Sequence, residues 1–209
     1  MLDRVRKLIE SRTDRQTFFQ LVDQRFPRGS AEYQLIERAY STAKDAFRTL
    51  QREGGERYFE HLRSVALILM VHMRVRDANI IAAALLHDIV EDIANWSQDR
   101  VAVEFNRAVA LLVWWVTKPN LVEFDNDKEE RNRIYHQNLN RAPREAIIIK
   151  LADRLHNLIT LWDVDAEKQL RKVRETQDFY LSLAEKEIIL IHEIEQALNE
   201  IMNSWKTQS

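Results

Sequence analysis

The sequence contains no cysteine. That excludes disulfide staples, thiolate zinc sites and cysteine nucleophiles, so any metal must be held by His, Asp or Glu. Glycine and proline are scarce as well, with three of each in 209 residues. Sandwiches and barrels need both at their turns, whereas helix interiors exclude them. No segment sustains the two-residue alternation of a half-buried strand, and apolar residues recur at three and four instead. The expected fold is therefore all-α. No apolar run approaches the roughly 18 residues of a membrane span, and the N-terminal stretch Met1 to Arg15 lacks a signal-peptide core. Net charge is also nearly absent, at -2, so no global basic field draws in nucleic acid. These absences lead us to expect a soluble, cytoplasmic protein with neither a membrane nor a nucleic acid as partner. Oligomerisation is not indicated.

What is present divides into helices. The hydrophobic share of 45% and charged share of 31% are ordinary for a globular chain, and the length suits one domain with a full core. Pro27-Arg28-Gly29-Ser30 closes an N-terminal helical extension, residues 1–29, and Ser30 is a suitable N-cap for the next helix. The spacing predicts helices over 31–51, 57–75, 78–92, 98–116, 128–139 and 144–161, with Gly54-Gly55 forming a loop and 123–130 an exposed acidic one. Beyond 165 an apolar stripe from Leu170 to Ile201 predicts one long helix, or two broken near Ser182. Residues 30–186 are expected to carry the activity, with 187–209 a helical tail packed on the same domain.

Three segments bear chemistry. The run Asn79 to Leu86 ends in His87-Asp88-Ile89-Val90-Glu91-Asp92. Adjacent helical residues point about a quarter-turn apart, so His87 and Asp88 can reach one ion, with Glu91 and Asp92 one turn beyond them. Three carboxylates at the C-terminus of a helix oppose its dipole, which a bound cation would resolve. A second apolar run, Ala146 to Ala152, delivers Asp153, with Asn157 on the same face and Thr160 three residues further. The third is the loop Arg52-Glu53-Gly54-Gly55-Glu56, which leads into a helix bearing His61. Two imidazoles and two carboxylates, His61, His87, Asp88 and Asp153, suit a divalent first-row ion with positions open for water and substrate. Glu91 and Asp92 are then placed to orient or deprotonate a water, or to protonate a leaving group. His156 can reach the edge that carries Asp153, whereas His72, His136 and His192 are read as non-ligands. Trp114 and Trp115 are read as core or a partner surface.

Five motifs in this order resemble the HD superfamily of phosphohydrolases, and more narrowly the hydrolase domain of RelA/SpoT-type alarmone enzymes, including the small stand-alone alarmone hydrolases. They are Arg52-x-x-Gly55-Glu56-x-Tyr58-x-x-His61; Ala83-Ala84-Leu85-Leu86-His87-Asp88-x-x-Glu91-Asp92; Val116-Thr117-Lys118; Lys150-Leu151-Ala152-Asp153-Arg154-Leu155-His156-Asn157; and Glu167-Lys168-Gln169 leading to Arg174-Glu175-Thr176 and Tyr180. The resemblance covers about 31–184 and implies an HD-domain helical bundle. It implies one manganese ion (Mn2+) on His61, His87, Asp88 and Asp153, with Glu91 and Asp92 acting on the attacking water. It also implies a small-molecule nucleotide substrate, with Arg52 against the purine and Asn157 and Thr160 on the sugar or base. The reaction implied removes pyrophosphate from the 3′ position of ppGpp or pppGpp, leaving GDP or GTP.

The chain departs from the pattern at Phe47, Thr49 and Leu50, where a His-x-Gly-Gln stretch is common. It departs again at Glu53, usually Lys, and at Arg57, usually Pro. Two alternatives follow. One is an HD phosphohydrolase for another nucleotide, such as an adenosine alarmone, a nucleoside polyphosphate or NADPH. The other is a non-catalytic alarmone-binding regulator, against which the intact Glu91 and Asp92 argue.

Overall fold

Short polar side chains set where the helices begin. Asp14, Ser30, Asp77, Ser97, Asn106, Asp127 and Asp165 each accept a hydrogen bond from a backbone N–H two or three residues ahead. A computed structural model describes residues 1–10 and 14–208; residues 11–13, within the 1–29 extension, and residue 209, the end of the expected tail, lie outside it. The helices are α1 (Leu2–Glu10), α2 (Arg15–Asp23), α3 (Ala31–Ala46), α4 (Tyr58–Leu67), α5 (Ala78–Leu86), α6 (Ile89–Asp92) and α7 (Gln98–Glu104). They continue with α8 (Arg107–Val116), α9 (Lys128–Leu139), α10 (Arg144–Ile159), α11 (Ala166–Glu175), α12 (Leu181–Glu187) and α13 (Ile191–Gln208). Wider π-type turns extend α4 over Ile68–His72 and join α11 to α12 over Thr176–Tyr180. The fold is all-α: no strand occurs among the described residues, where a single bridge between Gln51 and Arg57 closes the Gly54-Gly55 loop.

The core is organised around α5, which is apolar on every side and packs against α3, α4, α8 and α10. Every residue from Ile80 to His87 is buried, so the helix carries a histidine into the interior. α10 is buried without interruption from Ala146 to His156, charged residues included. α13 lies against α10, α12 and α1, burying Ile194, Ala197, Leu198 and Ile201. His72 Nε2 and Glu193 Oε1, 2.7 Å apart, and an Arg6–Glu200 ion pair tie it down. Among the described residues no helix is long and apolar enough to cross a membrane.

The helix expected over 31–51 ends at Ala46, with Phe47 as its C-cap, and the structure corrects the expected boundaries in three further places. The helix expected over 78–92 breaks at His87 and Asp88, where Asp88 takes φ -100° and ψ 1°. The His87 ring supplies the reason: its Nδ1 lies 2.8 Å from the Ala84 carbonyl and occupies the acceptor that a continuing helix would use. The helix expected over 98–116 breaks at Asn106, which caps α8 through Val109 N and donates to Asn79 Oδ1 at 2.9 Å. The tail breaks at Ile188 and Leu190, not near Ser182, and both residues are left-handed, at φ 56° and 52°. Trp114 is half-exposed, so it is not core.

A β-branched residue in the left-handed region is strained, and the Ile188 side chain is 80% exposed, so it gains little from packing. Ile188→Gly is expected to stabilise the protein by about 0.5–1 kcal/mol, the relief of strain being partly offset by glycine's unfolded-state entropy. Thermal unfolding checks this, with a rise of about 1–4 °C expected.

Candidate active site

The break after α5 creates the centre of the site. With Nδ1 turned to Ala84, the buried His87 points Nε2 inward, where it makes no hydrogen bond of good geometry. That atom lies 3.1 Å from Asp88 Oδ2 and 3.8 Å from Asp153 Oδ1. His61, from the first half of α4, brings its Nε2 to 3.2 Å from Asp153 Oδ1 and 3.8 Å from Asp88 Oδ2. The four residues expected as ligands therefore converge. His61, His87 and Asp88 bring their ligand atoms within 4.8 Å of one another. Asp153 has further partners, receiving Asn157 Nδ2 on Oδ1 at 2.5 Å and pairing with Lys150 Nζ through Oδ2 at 2.9 Å.

The field at this point favours positive charge. Burial opposes protonation of His87, yet Asp88 and Asp153 raise its pKa to about 9. Burial dominates at His61 and lowers it to about 4, so it is neutral and able to donate a lone pair. A buried, unpartnered imidazole nitrogen between two carboxylates fits a divalent cation. Because the helix breaks, Glu91 and Asp92 fall in the single turn of α6 and not at the C-terminus of a long helix, so the dipole conflict expected from the sequence does not arise.

Around this centre lies a cleft of about 320 Å³. Glu91 and Asp92 line one side of it. Glu91 Oε2 accepts from the Lys118 backbone N–H at 3.2 Å. Partial desolvation and the neighbouring Asp88 carboxylate raise Asp92 to about 6. Tyr58 donates its hydroxyl to Asp88 Oδ2 at 2.8 Å and rests on Phe47, the two rings stacked at 4.9 Å. Phe47 thus supports the tyrosine that orients Asp88. Arg57 stands at the N-cap position of α4 without a side-chain capping bond and pairs with Glu60 at 2.6 Å.

The three residues expected at the substrate form one cluster. Arg52 donates from Nη2 to Asn157 Oδ1 at 2.6 Å and from Nη1 to Thr160 Oγ1 at 3.1 Å. His156 sits behind it, its Nδ1 2.9 Å from His61 Nδ1 and 3.2 Å from Arg52 Nη1. The other histidines lie elsewhere: His72 at Glu193, His136 stacked on Phe179 at 3.9 Å, and His192 on the surface beside Glu195.

The lysines of the cleft were not singled out as site residues from the sequence. Lys118, Lys150, Lys168 and Lys172 all line it, as does Tyr58. Burial lowers the pKa of Lys118, and burial with the Arg154 charge lowers Lys172 to about 7. Burial also opposes charge on Lys150, but Asp153 outweighs it and holds the ammonium form well past its usual range. Lys118, Lys150 and Lys168 belong to motifs already quoted, so the signal for them existed. Lys172 had only its spacing, one helical turn beyond Lys168.

Comparison with known proteins places this arrangement. The HD domain family matches residues 39–189. The chain is 36% identical over 168 residues to the bifunctional (p)ppGpp synthase/hydrolase SpoT of Escherichia coli (strain K12), covering 79% of this chain and 23% of that protein. It is 36% identical over 151 residues to the guanosine-3′,5′-bis(diphosphate) 3′-pyrophosphohydrolase of Aquifex aeolicus, covering 72% of this chain and 21% of that one. The chain thus spans about a quarter or less of the length of these relatives. Among solved structures it resembles a metazoan ortholog of SpoT described as hydrolyzing ppGpp. The TM-score is 0.62 at 28% identity, over 84% of this chain and 96% of that one. Residues 39–189 include every side chain that lines the cleft, and the chain belongs to the HD domain family.

Proposed function

We propose that this protein is a manganese-dependent hydrolase that removes pyrophosphate from the 3′ position of (p)ppGpp, releasing GDP or GTP. The observation that carries the reading is the buried His87 Nε2 between Asp88 and Asp153, two carboxylates that line a cleft whose walls carry Arg52 and four lysines. Such a cleft matches a ligand with a scissile phosphoryl group at a cation centre and further phosphates along basic walls. Support comes also from the relatives named as 3′-pyrophosphohydrolases and from the solved ppGpp hydrolase, whose chain this one matches almost throughout.

In this reading His61, His87, Asp88 and Asp153 hold the ion. Bound there, it supplies Lewis acidity toward the phosphoryl oxygen and makes a water easier to deprotonate. The Tyr58 hydroxyl, kept protonated by burial and by the nearby carboxylates, fixes Asp88. Glu91, anchored on the Lys118 amide, orients the attacking water, and Asp92, held near 6, accepts its proton at neutral pH. Arg52, Asn157 and Thr160 position the nucleoside as a preassembled cluster. Lys118, Lys150 and Lys172 offset the charge of the phosphates.

The test is turnover by the protein loaded with manganese, with ppGpp, an adenosine alarmone, GTP and NADPH followed separately by chromatography. Pyrophosphate release from ppGpp is the expected result. Turnover of another nucleotide alone would overturn the substrate, and binding without turnover of any would overturn the enzyme reading. Asp88→Ala is expected to lose manganese and activity together, with kcat/KM down on the order of 10³-fold or more; metal content and initial rates check it. Glu91→Ala is expected to retain the metal while kcat falls about 10²- to 10⁴-fold. Full activity in that variant would remove Glu91 from the mechanism.

A further inference from the structure

The loop after Arg52 and the first turns of α11 face each other across the cleft and meet through one ion pair. Glu53 Oε1 joins Lys168 Nζ although 115 residues separate them in sequence, and both line the cleft. The two side chains are 51% and 30% exposed, so the pair stands at the mouth, not on the floor. The other cleft cations lie deeper or are engaged within the site. Lys150 is buried against Asp153 at 2.9 Å, Arg52 is bonded to Asn157 and Thr160, and Lys118 and Lys172 are desolvated enough that their pKa values fall. Lys168 is thus the outermost lysine of the cleft, and it faces an acid.

We propose that the Glu53–Lys168 pair is a charge filter on the length of the 5′ phosphate chain, favouring a nucleotide that ends in a 5′-diphosphate over one that ends in a 5′-triphosphate. The inference rests on the 3′-pyrophosphate reading. With that group at the cation centre and the nucleoside at Arg52, Asn157 and Thr160, the 5′ chain runs outward to the mouth. A third phosphate must displace the Glu53 carboxylate from Lys168 and then stand beside it as a like charge. An exposed pair exerts a modest effect, about two- to fivefold in relative affinity.

Steady-state hydrolysis of ppGpp and pppGpp by the full manganese-loaded chain tests this. The ratio of KM for pppGpp to KM for ppGpp is expected to exceed one in the wild type. It should fall about two- to fivefold in Glu53→Gln, fall further in Glu53→Lys, and rise in Lys168→Gln, which leaves Glu53 unpaired. These shifts should lie in KM rather than kcat and shrink at high salt. A Glu53→Gln protein with an unchanged ratio, or with both KM values moved equally, overturns the filter. If the wild type turns over neither nucleotide, the 3′-pyrophosphate reading fails by itself. The filter is then read by calorimetric binding of ppGpp and pppGpp: a gain in Glu53→Gln confined to pppGpp upholds it, and equal gains or none overturn it.

Discussion

One hydrogen bond within a single helical turn governs the geometry of the site. By donating from Nδ1 to the Ala84 carbonyl, His87 fixes its own tautomer and directs Nε2 toward the aspartates. The same bond takes the acceptor that would have carried the helix onward, so the chain turns at Asp88 and restarts as α6. That restart swings Glu91 and Asp92 to the side of the cleft. Ligand orientation, helix break and placement of the acidic pair thus have one cause, and the cause is secure because the residues before it are buried on every side.

α10 shows the complementary constraint. Lys150, Asp153, Arg154 and His156 are all buried on this one helix, an expensive set to remove from water. Each has a partner nearby: Lys150 has Asp153, Asp153 has Asn157 and His61, His156 has His61 and Arg52, and Arg154 has Glu175 at 2.9 Å and the Tyr180 ring at 3.9 Å, although its Nε and Nη1 make no hydrogen bond. Glu175 is correspondingly held well below the usual carboxylate range, burial notwithstanding, with Arg154 the chief cause. A chain selected for stability alone would fill these positions with apolar residues. Their charge suits a cleft that, in the proposed function, holds a cation and receives an anion.

The all-α class was legible because glycine and proline are scarce and the apolar spacing is helical throughout. The convergence of His61, His87, Asp88 and Asp153 was legible because apolar runs end abruptly in polar groups, as at Leu86-His87 and Ala152-Asp153. The breaks were not legible. At His87 the interruption depends on a side-chain bond to the preceding turn, which no propensity scale records. At Ile188 and Leu190 the left-handed turn lacks the glycine that normally signals one. The partners of the two departures from the pattern, Lys168 for Glu53 and Tyr58 for Phe47, are brought to them by the fold and are not marked by local sequence.

The unbroken burial of α10 from Ala146 to His156 also has a consequence in time. A helix walled by α13 on one side and by α4, α5 and α8 on others cannot fray without opening most of the core, so its amides should exchange with solvent only in rare, near-global openings. Gly54 and Gly55 are exposed, so their amides should exchange far sooner. The cleft is therefore divided by timescale, with a slow half that carries Asp153 and a faster half at the Gly54-Gly55 turn, which in the proposed function meets the incoming nucleotide.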